Sequence, residues 1–354
     1  MSILEEDLYN IKAKTSDCNF ENATILLTGG GGFLGYYLVN YFCKFSDFHK
    51  IRKIIVLDAF LFGKPAWLTK LENKEILESK KFFVGRDSFT EFNKNYNFTH
   101  VIHMASIASP TFYRKYPLET IDANVWGLRD LLESLKSSPF LKSLIFMSSS
   151  EIYGDPEPSC IPTKEDYRGH VSCTGPRSCY DESKRFGETL CVYYSSIYNL
   201  NISMVRPFNN YGPGLSIKDR RLPADFANSI INNKDLELLS DGTPTRTFCY
   251  ITDAIVGYLK VLANRFRGPI NIGSDTGEIS VQKMAKLYQD IGRELFGYTG
   301  KLTFSRSNDS QYLTDNPNRR VPDIGLARKS LNYKPTISNE EGVKRYLKFL
   351  KEDL

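Results

Sequence analysis

The stretch TGGGGFLG, Thr28 to Gly35, constrains this chain more than any other part of it. It follows a short apolar run, Ala23–Thr28 (ATILLT), and opens a helical apolar pattern, Phe33–Cys43 (FLGYYLVNYFC). The local reading is strand, tight turn, helix. Gly29, Gly32 and Gly35 carry no side chain, so the backbone can come close to a pyrophosphate, whose charge the N–H groups and dipole of a helix start favour. Phe33 and Leu34 lie in the same turn and join the candidate cofactor residues. Asp58 ends the next apolar run, Lys53–Asp58 (KIIVLD). A carboxylate there accepts hydrogen bonds from an adenosine ribose and repels a 2′-phosphate, which favours NAD over NADP. Without a ligand, the same residues would be a bare turn and a strand-end cap.

Buried-strand signatures recur at Lys81–Val84, His100–Met104 (HVIHM) and Lys142–Met147 (KSLIFM), with helical stretches such as Thr120–Ser134 between them. Strands alternating with helices predict an α/β fold, a Rossmann-type doubly wound parallel sheet covered on both faces. The Pro-, Gly- and Cys-rich stretch Gly154–Ser178 is too long for an ordinary connection and reads as a binding loop. A helix over Tyr180–Tyr198 and a strand at Asn201–Val205 follow. Shorter elements then succeed one another: Pro223–Asn232, Leu236–Leu239, Thr252–Ala263, Val281–Phe296 and Ser338–Lys351. They suggest a smaller α/β unit interleaved with the sheet.

Composition removes several classes of function. The 354 residues carry a net charge of only +5 with no long run of like charges, which gives no footprint for nucleic acid or a membrane surface. No apolar stretch is long enough to span a bilayer, and the start MSILEEDLYNIKAK lacks a signal-peptide core, so the expectation is a cytoplasmic protein. The seven cysteines form no C-x-x-C pair and the four histidines no pair at ligand spacing, so reduced thiols and no metal are expected.

Tyr180 and Lys184 stand four apart, on one face of a helix. A phenol with a pKa of about 10 is a weak base at neutral pH. A neighbouring ammonium and an oxidised nicotinamide, both positive, would bring that value toward working pH and let Tyr180 take the proton of a sugar hydroxyl. Ser148–Ser149–Ser150–Glu151 falls at the end of a predicted strand, the edge where ligands of open α/β sheets bind. Ser149 would relay the proton to Tyr180, and Glu151 would handle a proton at the neighbouring sugar carbon.

At these residues the chain resembles the extended short-chain dehydrogenase/reductases of the NAD-dependent sugar epimerase/dehydratase family. Within it the chain is most similar to the UDP-glucuronate decarboxylase (UDP-xylose synthase) branch. The matching blocks are HMASIASPTFY, SSSEIYGDPEP, EDYRGHVSCTGPRSCYDESKR, TRTFCYITDAIVG, GPINIG and NRRVPDIGLARKSLNYKP. Arg168 departs from the branch pattern, which carries Trp there. Ser150 stands where the family's 4,6-dehydratases carry Asp, which disfavours elimination of water because a serine is a poor proton donor.

The resemblance implies bound NAD and a UDP-linked nucleotide-sugar substrate. It implies oxidation at C4, loss of CO2, protonation at C5 and re-reduction of C4. Ser149, Ser150, Glu151, Tyr180 and Lys184 match the catalytic positions. Asp87, Ala105, Ser106 and Asn124 match cofactor-lining ones, as do Tyr180 and Lys184 beside their catalytic roles. Tyr113, Arg177, Asn209, Arg221, Arg246 and Arg320 fall in the substrate cleft, where guanidinium forks suit a diphosphate. The implied division is an extension over 1–21, an NAD-binding Rossmann domain over 22–206 to which later segments return, and a mainly nucleotide-sugar-binding domain over 207–354. The extension would be a surface-lying helix outside the shared core. Relatives pair as dimers through two helices per subunit, here with stripes Val125, Leu128, Leu131, Leu132 and Leu190, Tyr193, Tyr194, Ile197, so a homodimer is expected. The alternatives are a 4-epimerase or 4,6-dehydratase, release of the 4-keto sugar, and a non-catalytic NAD-binding scaffold.

Overall fold

The apolar runs pair side by side in the computed structural model, which describes residues 1–61, 63–307, 311 and 314–352. Seven strands form the main sheet: β1 (Thr24–Thr28), β2 (Lys53–Asp58), β3 (Leu77–Lys81), β4 (His100–His103), β5 (Ser143–Met147), β6 (Ile202–Pro207) and β7 (Gly268–Ile272). They lie in the order β3-β2-β1-β4-β5-β6-β7, and every pairing is parallel. Alternate side chains point to opposite faces. Ile25, Leu27, Ile54 and Val56 therefore enter one apolar layer, and Leu26, Ile55, Leu57 and Val101 the other. Both faces are covered, as continuous apolar strands require.

Three sequence expectations change. Strand β3 ends at Lys81 instead of spanning Lys81–Val84. It pairs only with β2, and as an edge strand it keeps polar side chains (LESKK) that hide it from an apolar count. The helical stretch over Thr120–Ser134 is broken into helix Pro117–Ile121, a π-helical turn Asp122–Gly127 and helix Leu128–Leu135. The amino-terminal segment is a helix, Ile3–Lys14, but it does not lie outside the core. Leu8 and Ile11 are buried in the first apolar layer, and Asp7 accepts hydrogen bonds from Tyr37 Oη at 2.6 Å, Tyr250 Oη at 2.7 Å and Arg345 Nε at 3.0 Å.

Beyond β6 the chain builds small sheets over the carboxyl edge of the main one. Arg319–Arg320 pairs with Thr245–Arg246, which also pairs with Ile279–Ser280. This register sets Arg320 beside Arg246. The loop predicted at Gly154–Ser178 is strapped down through Arg206 on β6, which donates to the Glu165 carbonyl at 2.7 Å and pairs with Glu188 at 2.6 Å. Thr163 N–H donates to Val321 O at 2.9 Å, tying that loop to the Arg320 segment.

The two predicted apolar stripes divide differently. Val125, Leu128, Leu131, Leu132 and Tyr194 are buried, while Tyr193 and Ile197 remain exposed together with Leu118, Trp126, Phe186 and Val192. Among the described residues no helix is long and apolar enough to cross a membrane.

Replacing Asp7 by Ala would leave the Arg345 guanidinium and two phenols without their shared acceptor. Breaking such a buried pair is expected to cost about 3 kcal/mol of stability, read as a lower midpoint in urea; an unchanged midpoint would show that the amino-terminal helix adds nothing to the core.

Candidate active site

All the parallel strands end at one edge, and the turn after β1 is shaped by two close approaches. Gly29 has φ +69°, and a Cβ there would stand 2.8 Å from the Ala105 backbone. A Cβ on Gly35 would stand 2.1 Å from the Gly30 carbonyl oxygen. Gly32 is the N-cap of the helix Phe33–Lys44, and no side chain caps that end. Free N–H groups at a helix start are the donors a pyrophosphate needs. Asp58 accepts N–H bonds from Gly31 at 3.0 Å and Phe60 at 2.8 Å, leaving lone pairs for a ribose. Thr28 Oγ1 bonds His103 Nδ1 at 2.8 Å and accepts from Met104 N–H at 3.2 Å and Ala105 N–H at 3.3 Å, so β1 and β4 end as one unit.

Two further candidate cofactor residues have buried polar atoms without a protein partner. Ser106 Oγ and Asn124 Oδ1 are buried and have no partner among the described residues. Asn124 sits in the π-helical turn and donates to Ser183 Oγ at 2.9 Å. Such groups are normally satisfied, so both fit an NAD-type dinucleotide along the strand ends. Asp87 is exposed and accepts the Phe83 N–H at 2.7 Å.

Tyr180 and Lys184 share a buried face of the helix Ser178–Tyr198. The ring of Tyr113 stacks on Tyr180 with centroids 5.0 Å apart. Without the dinucleotide the phenol is shifted away from ionisation. Burial pushes the Tyr180 phenol up to about 12, against a lowering hydrogen bond from Ser149 and the charge of Arg221. Burial also pushes the Lys184 ammonium down to about 7, and this group donates to the Met147 carbonyl at 2.7 Å. Desolvation is the largest influence on both groups and opposes charge on each. Ser149 caps the short turn Ser150–Tyr153 by accepting the Glu151 N–H at 3.1 Å. Ser150 is buried in the same turn.

Glu151 is clamped. Arg320 holds it bidentately, with Nη2 to Oε2 at 2.7 Å, and Arg177 also donates to Oε2. Burial opposes ionisation, but Arg177, Arg320 and Arg246 hold the carboxyl well below its usual range. The arginines thus do not form a row of free diphosphate forks. Arg246 donates to the carbonyls of Thr245 at 2.8 Å and Asn318 at 3.2 Å, and Arg221 pairs with Asp219, Nη2 to Oδ2 at 3.0 Å. Asn209, at φ +42°, donates to Thr247 O at 2.8 Å. Arg177 and Arg320 converge on Glu151, with Arg246 beside Arg320 in the strand register, whereas Arg221 lies against Phe33 with its guanidinium carbon 5.9 Å from the ring centroid.

Sequence reasoning missed Asp181, whose Oδ2 is 3.6 Å from Arg177 Nε. The i,i+4 spacing of Arg177 and Asp181 on a predicted helix was the available signal.

A family model described as NAD dependent epimerase/dehydratase family matches residues 25–273. The chain is 33% identical over 322 residues to UDP-glucuronic acid decarboxylase 6 of Arabidopsis thaliana, covering 91% of this chain and 87% of that protein. It is 31% identical over 330 residues to UDP-glucuronic acid decarboxylase 1 of Xenopus tropicalis, covering 93% and 72%. A Bacillus cereus UDP-glucuronic acid 4-epimerase solved with UDP-glucuronic acid and NAD superposes with a TM-score of 0.77 at 25% identity, over 93% of this chain and 99% of that one. A Streptomyces venezuelae dTDP-glucose 4,6-dehydratase shares the fold, with a TM-score of 0.78 at 21% identity over 93% and 97%.

Gly35→Ala is expected to open the turn by forcing the new methyl off the Gly30 carbonyl. NAD affinity measured by fluorescence titration should fall at least about tenfold, equivalent to about 1.4 kcal/mol; wild-type affinity would show that the turn does not hold the dinucleotide.

Proposed function

Because the chain belongs to the NAD-dependent epimerase/dehydratase family, we propose that it converts UDP-glucuronate to UDP-xylose through a 4-keto sugar, with loss of CO2. The observation that carries the substrate assignment is the clamp of Arg177 and Arg320 on Glu151, with Arg246 set beside Arg320 by the strand register. The guanidiniums exceed this carboxylate in charge, and a sugar that brings a carboxylate of its own complements the surplus.

The glycine turn offers the pyrophosphate site, Asp58 the ribose acceptor, and Ser106 and Asn124 their unpartnered polar atoms to the dinucleotide. When bound, NAD supplies the hydride acceptor for C4 and the source of its return. Ser149 and Tyr180 form the hydrogen-bonded pair that takes the proton of the C4 hydroxyl. Lys184 lies with its ammonium 5.7 Å from the Tyr180 ring centroid, where its charge favours the phenolate. Once C4 is a ketone, the C5 carboxylate belongs to a β-keto acid. The electrons of its C–C bond then delocalise into the carbonyl as CO2 leaves. Tyr180 restores the proton to O4 at the end of the cycle. Ser150, lacking a carboxyl, offers no acid for expelling a C6 hydroxyl, which separates this site from a 4,6-dehydratase.

The exposed apolar side chains Leu118, Trp126, Phe186, Tyr193 and Ile197 lie on neighbouring helical elements, Pro117–Ile121, Asp122–Gly127 and Ser178–Tyr198. They suit the expected homodimer, in which a second copy would cover both helices. Seven unpaired cysteines suit a reducing cytoplasm.

Incubation with UDP-glucuronate and mass analysis should give UDP-pentose and CO2 without net consumption of NAD. An isomerised hexuronate, a dehydrated sugar or unchanged substrate would each remove the reading. Tyr180→Phe should lower turnover by about 10³-fold, within the range for losing a positioned acid–base group, and leave NAD affinity unchanged. Tyr193→Asp paired with Ile197→Asp should yield monomers by sedimentation; a wild-type protein that is already monomeric would remove the dimer.

A further inference from the structure

One acid beside Glu151 has no task in this chemistry. Asp181 follows the reactive tyrosine and is 3% exposed. Its Oδ1 has no partner among the described residues, and its Oδ2 stands 3.6 Å from Arg177 Nε, beyond hydrogen-bonding range. The other end of the same guanidinium donates to Glu151 Oε2. Arg177 thus bridges two buried carboxyl groups, fully engaged with one and only approached by the other. Arg320, which completes the clamp on Glu151, also has an unpartnered Nε. The charged and titratable groups around Asp181 are Glu151 from the short turn after β5, Arg177 and the thiol of Cys179 at the helix start, Arg320 from the small sheet, and the phenols of Tyr180 and, across the cleft, Tyr113. Burial and the Glu151 charge push the Asp181 carboxyl up, against Arg177 and Arg320.

Decarboxylation has a proton balance that an isomerisation lacks. A carboxylate leaves as neutral CO2, and the electron pair of the broken C5–C6 bond must end in a new C5–H bond. One proton is taken up per turnover. Tyr180 does not supply it, because the proton it takes from O4 returns to O4. Resting on the decarboxylase reading, we propose that Asp181 stores this proton and delivers it through Glu151 to C5. The Asp181 O–H bond breaks as a Glu151 O–H bond forms, that bond breaks as C5–H forms, and Asp181 reloads from solvent. Arg177 moves its weight from Glu151 to Asp181 as the negative charge passes between them.

The charge of the substrate times the transfer. A sugar carboxylate entering the cluster adds negative charge and favours the protonated acid. Its departure as CO2 moves that charge onto the enolate at C5 and O4, a far stronger base than the carboxylate it replaces, which draws the stored proton.

Calorimetric titration of UDP-glucuronate into the NAD-loaded Tyr180→Phe protein, in buffers of different ionisation enthalpy, should show proton uptake that disappears when Asp181→Asn is added. In turnover, Asp181→Asn alone should lower kcat by about 10²-fold with KM within about threefold. It should also abolish the loss of rate at high pH that deprotonation of Asp181 gives the wild type, and Asp181→Glu should restore part of both. Equal proton uptake with and without Asp181, or an unchanged kcat and pH profile, overturns the proposal and leaves the decarboxylase reading standing. A loss of NAD affinity that accounts for the fall in kcat overturns it too, by making Asp181 part of the scaffold. A wild-type protein that leaves UDP-glucuronate intact removes the reading and the proposal together.

Discussion

In a sheet whose strands all run the same way, every strand delivers the chain to the same edge before a helix carries it back. Seven parallel strands do so here, and residues from distant parts of the sequence meet because of it. Gly29 follows β1, Asp58 closes β2, Met104 to Ser106 follow β4, and Ser148 to Glu151 follow β5. The sheet itself is apolar on both faces, so this edge is the place where polar groups can gather without being stranded in the core.

That gathering happens in a partly dry cleft, where desolvation competes with pairing. It sets opposite directions on Tyr180 and Lys184, whereas the guanidiniums overcome it at Glu151. Burial works against charge at the phenol and the ammonium alike, whereas the arginines keep the glutamate ionised. The carboxylate is kept ionised by side chains drawn from two regions, Arg177 ahead of the Tyr180 helix and Arg320 from the small sheet. The clamp therefore also fastens the overlying segment to the main sheet.

Much of this was legible in the residues, because apolar runs and glycine spacing report directly on strands and tight turns. β1, β2, β4, β5 and β6 came out within a residue or two, since both faces of each are covered. β3 did not, because an edge strand satisfies only one neighbour and keeps polar side chains. The π-helical turn at Asp122–Gly127 was invisible for a related reason: one extra residue per turn shifts the helical phase without changing composition. It is in this turn that Asn124 meets Ser183. The place of the amino-terminal helix is not written in its own residues, because the phenols and the guanidinium that surround Asp7 arrive only through tertiary contact. Around Glu151, charge alone could not tell a diphosphate fork from a carboxylate clamp. The strand register that places Arg320 beside Arg246 carries that information.

The contact made by Asp7 has a consequence for the order of events during synthesis. Its partners Tyr37, Tyr250 and Arg345 are drawn from nearly the full length of the chain. During synthesis the helix Ile3–Lys14 therefore has to wait for the helix Asn339–Glu352 before its buried acid gains all its donors. Until then Leu8 and Ile11 have an incomplete surface to cover, and the nascent chain exposes apolar area that chaperones recognise. A truncated translation product would retain the glycine turn but lack the latch that closes the core around it.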